Sequence, residues 1–127
     1  MGERVVPLDE VVRQVKPENM KKFRIGIEEF LNLYREGRAV LVDVREEYET
    51  RRWGLNFGLQ IPVSQLPDRL GELPVDKIVV TICPGRDRSN IAALYLKSKG
   101  FESRYLADGL LGLTAYLRGS TAKELPL

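Results

Sequence analysis

The chain contains no histidine and a single cysteine, Cys83. The first absence excludes a Ser-His-Asp triad, a His-paired cysteine nucleophile and any imidazole metal site. The second excludes an internal disulfide, a Cys-x-x-Cys redox pair and a cysteine-rich zinc site. No apolar run approaches the roughly 18 residues that signal a membrane span. No Lys/Arg block with interleaved aromatics occurs either; Lys21-Lys22 and Arg51-Arg52 are short isolated pairs. With 20 basic against 18 acidic side chains, the net charge of +2 favours neither a nucleic-acid nor a membrane partner. The first ten residues bring acids early and hold no apolar signal core, so a cytoplasmic location is expected. What remains for chemistry is Cys83, carboxylates, hydroxyls, Arg and Lys, and backbone dipoles. No metal and no organic cofactor is expected.

What is present is globular in composition: 43% hydrophobic and 30% charged over 127 residues, the size of one ordinary domain. Residues 1–22 read as an N-terminal helical extension, with Leu8, Val11, Val12 and Val15 at helical spacing until Pro17 ends the pattern. Residues 23–127 read as the domain itself. Ile27, Phe30, Leu31 and Tyr34 predict a helix that Gly37 closes. The apolar runs 39–44 and 77–82 have the composition of strands buried on both faces, and 59–62 and 103–106 read as shorter strands. Helices are expected over 63–70, from Ser89 to Gly100 with Ile91, Leu94, Tyr95 and Ser98 on one face, and over 110–117. Strands alternating with helices predict an α/β fold: a mostly parallel central sheet of about five strands, flanked by helices on both faces. Ligands of such sheets bind beyond the carboxyl ends of the strands, where Cys83 and Asp43 both fall.

Cys83 opens the segment Cys83-Pro84-Gly85-Arg86-Asp87-Arg88-Ser89, between a buried strand and a helix. A turn of this kind can curl its N–H groups inward around an anion, and the helix start adds positive potential. Both stabilise a thiolate over a thiol, as would Arg86 and Arg88, and a thiolate in such surroundings is a nucleophile. A solitary cysteine is otherwise a small buried hydrophobe. The position of this one favours the reactive reading.

Four fragments in order resemble the rhodanese (sulfurtransferase) family over about residues 25–118. Cys83, Arg88 and Ser89 fit its loop of a cysteine, four variable residues, then Arg and Ser. Leu41-Val42-Asp43-Val44-Arg45-Glu46 resembles its strand ending Asp-x-Arg-Glu. The stretch through Ile61-Pro62 and the segment Leu106-Ala107-Asp108-Gly109-Leu110 resemble two further family segments. The resemblance implies a rhodanese-like fold and a Cys83 persulfide that passes sulfane sulfur from a small anionic donor such as thiosulfate to a thiol or protein acceptor. Cys83 is then the catalytic residue, and Arg88, Arg86, Gly85, Asp87 and Ser89 are candidate substrate-binding residues, with Ser89 also expected to cap its helix. Asp43 and Arg45 are expected to support the loop, Asp43 by accepting its N–H groups and Arg45 by pairing with an acid such as Glu46 or Glu49. Trp53 and Phe57 are read as core aromatics sooner than as a pocket mouth. Catalysis is expected within one copy or across a homodimer.

The chain departs from the family pattern at several points. Leu55 stands where the family has His, Leu113 where it has Trp, and Gly85 comes one position early. Pro84 removes a loop N–H and Asp87 adds a negative charge beside the sulfur. These differences keep open a non-catalytic rhodanese-like binding module. Related phosphatases place five residues between Cys and Arg, whereas four separate Cys83 from Arg88, which leaves a Cys-dependent phosphatase as the less favoured alternative.

Overall fold

Five strands, β1 (Arg24–Ile25), β2 (Ala39–Asp43), β3 (Leu59–Gln60), β4 (Ile78–Ile82) and β5 (Ser103–Leu106), pair in parallel in the order β1-β5-β4-β2-β3. The computed structural model describes residues 5–125. The two Val- and Ile-rich runs become neighbouring inner strands, with Leu41 opposite Val80 and Asp43 opposite Ile82. Successive side chains of a strand face opposite ways. Leu41, Val80 and Ile82 therefore join Ile25 and Leu106 on one face, while Val42, Val79 and Cys83 line the other.

Helices α2 (Ile27–Arg35) and α6 (Gly109–Leu117) cover the first face through Phe30, Leu31, Leu110 and Leu113. The second is covered by α4 (Leu66–Arg69) and α5 (Asp87–Ser98) through Leu66, Ala92 and Leu96. Two glycine caps end helices as their positions foretell. Gly37 (φ 72°) closes α2, with Arg38 N–H bonding to the Leu33 carbonyl, and Gly100 (φ 89°) closes α5, with Phe101 N–H bonding to that of Leu96.

The buried face of α5 differs from the expected one. Ile91 is 61% exposed, and the sheet is met by Ser89, Ala92, Ala93 and Leu96. Small residues let the helix axis lie close to the strands, and Cys83 lies beneath them. The helix expected over 63–70 is broken into 3₁₀ turns at Val63–Gln65 and Leu70–Glu72 flanking the single turn of α4. A continuous helix would need an N–H from Pro67 to the Val63 carbonyl, and proline has none.

In the N-terminal segment, α1 (Leu8–Arg13) lies against α5, with Val11 buried beside Phe23, Ala93 and Tyr105. Val6 N–H bonds to the Ser98 carbonyl at 3.0 Å. Pro17 begins a 3₁₀ turn, Pro17–Lys22, that leads into β1. Residues 1–4 of the expected extension lie outside the described residues. Among the described residues no helix is long and apolar enough to cross a membrane.

Candidate functional site

Cys83 follows the last residue of β4 and is fully buried. Its sulfur accepts the backbone N–H of Ser89 at 3.3 Å, lies 3.3 Å from the Ser89 hydroxyl, and has the Asp87 Oδ1 at 3.8 Å. The Thr81 hydroxyl donates to the Ser89 carbonyl at 2.8 Å, and the Ser89 hydroxyl donates to the Arg86 carbonyl at 3.2 Å. The loop is thus tied both to the strand it leaves and to the helix it enters.

A second support comes from the β5–α6 junction. Leu110 N–H bonds to the Cys83 carbonyl at 2.8 Å, and Arg86 Nε donates to the Ala107 carbonyl at 2.8 Å. Gly109 has φ 67°, and a Cβ there would sit 2.6 Å from the carbonyl oxygens of both Pro84 and Gly85. No other residue fits against the loop at this point without moving it. Gly85 itself is exposed, with open space where a Cβ would be.

The Arg88 guanidinium grips both carboxylate oxygens of Glu49, at 2.5 and 3.0 Å, instead of pointing at the sulfur. Glu49 sits in the first turn of α3 (Glu47–Arg52), and its Oε1 also accepts the Glu46 N–H at 3.0 Å, completing a capping box. The bond from Arg88 holds the Glu49 carboxyl down at about 2, helped by the Glu46 amide and by the nearby charge of Arg45, against the opposing effect of burial. The same bond raises Arg88 above its ordinary value, with the charges of Glu49, Cys83 and Asp87 adding to it.

This pair predicts a pH dependence. An unfolded Glu49 titrates near 4.5 and the folded one near 2, so the stability it adds is complete above 4.5 and fades as pH falls toward 2. Glu49→Gln is expected to be less stable than the parent near neutral pH, with the difference closing between 4.5 and 2. Urea unfolding across that range measures it, and a pH-independent difference would contradict the assignment.

Asp43 and Arg45 do not reach the loop. The Asp43 carboxylate accepts from the Arg45 backbone N–H and Nε, both at 3.1 Å, and from its NH2 at 2.8 Å. Arg45 therefore pairs with Asp43, not with Glu46 or Glu49, because the side chain folds straight back onto its neighbour two positions earlier. Its NH2 also bonds to the Trp53 carbonyl, and the Trp53 ring lies 5.7 Å from the guanidinium. This buried pair fixes the 43–53 turn, while Thr81, Gly109 and Leu110 hold the Cys83 loop. Trp53 is half exposed over Arg45, and Phe57 packs edge-on against Tyr34 at 5.8 Å. Ser89 makes no cap: Arg86 holds that position, and the Ser89 hydroxyl lies inside the first turn beside the sulfur.

The pairing of Glu49 with Arg88 in place of Arg45, the role of Thr81 and the packing role of Gly109 escaped the sequence reading. The Glu46-x-x-Glu49 spacing is a helix-start signal that could have placed Glu49. Nothing in the sequence marks Thr81 apart from an ordinary strand residue. Chemically, the assembly offers a buried sulfur at a helix start with a backbone N–H directed at it.

Comparison with known proteins gives the family and the fold. The family model described as rhodanese-like domain matches residues 27–115. A thiosulfate sulfurtransferase (GlpE) of Pseudomonas syringae is 33% identical over 75 residues, which cover 59% of this chain and 71% of that protein. A tRNA uridine(34) hydroxylase of Erwinia tasmaniensis is 30% identical over 95 residues, covering 70% of this chain but only 27% of the hydroxylase. Among solved structures, the human single-domain sulfurtransferase TSTD1 superimposes with a TM-score of 0.66 at 25% identity, covering 76% of this chain and 97% of that one.

Proposed function

Because this chain belongs to the rhodanese-like domain family, we propose that it is a sulfurtransferase in which Cys83 carries sulfane sulfur from an anionic donor such as thiosulfate to a thiophilic acceptor. The observation that carries the reading is the Ser89 N–H directed at the Cys83 sulfur at 3.3 Å, at the carboxyl end of a buried strand. The Cys83 thiolate attacks the outer sulfur of thiosulfate. A bond forms between Sγ and that sulfur, the donor's S–S bond breaks, and its electron pair departs with sulfite. Cyanide in an assay, or a thiol or protein thiol in a cell, then takes the outer sulfur and restores the thiolate.

The persulfide carries its charge on the outer sulfur, at the loop whose Ser89 N–H is directed at Sγ. Preorganised donors of this kind cost nothing to reorient as charge arrives. Arg86 draws the donor toward the loop, and Arg88, fixed by Glu49, adds positive charge behind it. No histidine takes part, since the chain has none.

Two displacements through one covalent intermediate give ping-pong kinetics. Initial rates of thiocyanate formation, with thiosulfate and cyanide varied together, are expected to give parallel double-reciprocal lines. Intersecting lines would place both substrates on the protein at once and rule out a free persulfide.

A further inference from the structure

Resting on that reading, we infer that Asp87 selects the sulfur donor: its carboxylate occupies the anion position of the Cys83 loop and turns the site toward persulfides and away from dianionic thiosulfate. Asp87 is an exposed residue in contact with a sulfur that has no exposure of its own. Its carboxylate lies beside that sulfur, with Oδ1 3.8 Å from Sγ. The same oxygen accepts the Arg88 backbone N–H at 2.8 Å, next in line after the Ser89 N–H that serves the sulfur. An incoming anion must displace this carboxylate to gain the amide behind it.

One of the two nearby cations is already neutralised by an acid, and the other keeps its charge while anchored to a neutral carbonyl. Arg88 is spent on Glu49 through both terminal nitrogens, and Arg86 is tied by Nε to the Ala107 carbonyl. Pro84 brings no N–H to the loop. A donor with two negative charges meets about twice the repulsion felt by a donor with one. An alkyl persulfide brings one charge, or none when protonated. Cys83 attacks its outer sulfur, the Sγ–S bond forms as the donor's S–S bond breaks, and the electron pair leaves on an alkyl thiolate that takes up a proton. No oxidant or reductant enters. Asp87 acts through charge at the mouth of the site, and an acid in the first turn of α5 would by itself serve only helix stability.

The test compares sulfur uptake by the parent protein, Asp87→Asn and Asp87→Glu, each offered thiosulfate or a low-molecular-weight alkyl persulfide. Uptake is followed by intact mass over time. In Asp87→Asn the rate with thiosulfate is expected to rise about tenfold and that with persulfide less than about threefold, as removal of one nearby charge acts on a dianion and a monoanion. Asp87→Glu, which keeps the charge, should retain the parental preference. An equal change with both donors would reduce Asp87 to a structural residue, and an unchanged donor ratio in Asp87→Asn would likewise overturn its role; both leave sulfur transfer standing. No uptake from either donor in any of the three proteins, while Cys83 still alkylates, would overturn the transfer reading and the role of Asp87 with it.

Discussion

Cys83→Ser is expected to lower sulfur transfer to the uncatalysed rate, a loss of about a thousandfold or more, because no other group in the site can carry the sulfur. The substitution exchanges one atom and leaves the loop its partners. A hydroxyl at position 83 can use the Ser89 N–H and the Ser89 Oγ that now meet the sulfur, each at 3.3 Å. Its buried oxygen is thereby satisfied, and stability should change by no more than about 1–2 kcal/mol. Thiocyanate formation and thermal unfolding, measured on the same preparation, separate the two effects. A folded Cys83→Ser protein with most of its activity would place the chemistry elsewhere.

The largest effect on stability is expected from Arg45→Ala. Arg45 and Asp43 are both buried, and the Asp43 carboxylate takes four hydrogen bonds from Arg45, three of them from the guanidinium. Removing the guanidinium strands a charge at the end of β2, which costs about 3–5 kcal/mol. That is a large part of the roughly 5–15 kcal/mol that holds an ordinary domain together. Replacing both residues by apolar ones of similar volume, as in Asp43→Leu with Arg45→Met, should recover much of the loss, since no unpaired charge then remains. Urea unfolding of the single and double variants decides the matter. A loss below about 1 kcal/mol in the single variant would mean that water reaches Asp43 and that the pair is not the anchor of the turn.

The contrast between these two residues and Cys83 shows where sequence reading reached and where it stopped. β2 and β4 were legible because continuous Val and Ile runs have few homes other than an inner parallel strand. Gly37 and Gly100 were legible because a left-handed helix end needs glycine. β1 was not, since two residues carry no period, and α3 was not, since none of its residues is buried and no apolar stripe marks it. The inward face of α5 was misread by following its large side chains, when close packing on the sheet selected Ser89, Ala92 and Ala93.

The site divides in the same way. Chain order alone placed Cys83 and its loop at the end of β4. Which groups hold that loop is a matter of long-range contact, and Glu49 lies 39 positions from the Arg88 it grips. Asp43 and Arg45 were expected to support the loop, yet they pair with each other, because a partner two residues away is cheaper to order than one across a loop. Asp87 could be seen as a negative charge near the sulfur, but its bond to the Arg88 amide is visible only in three dimensions.

The central claim is that Cys83 accepts a sulfur atom and gives it up. Intact-mass spectrometry of the protein after exposure to thiosulfate and, separately, to an alkyl persulfide tests it most directly, with Cys83→Ser alongside. The parent protein is expected to gain one sulfur atom, lost on adding cyanide and absent from Cys83→Ser. A folded protein whose Cys83 alkylates, yet takes up sulfur from neither donor, would contradict it.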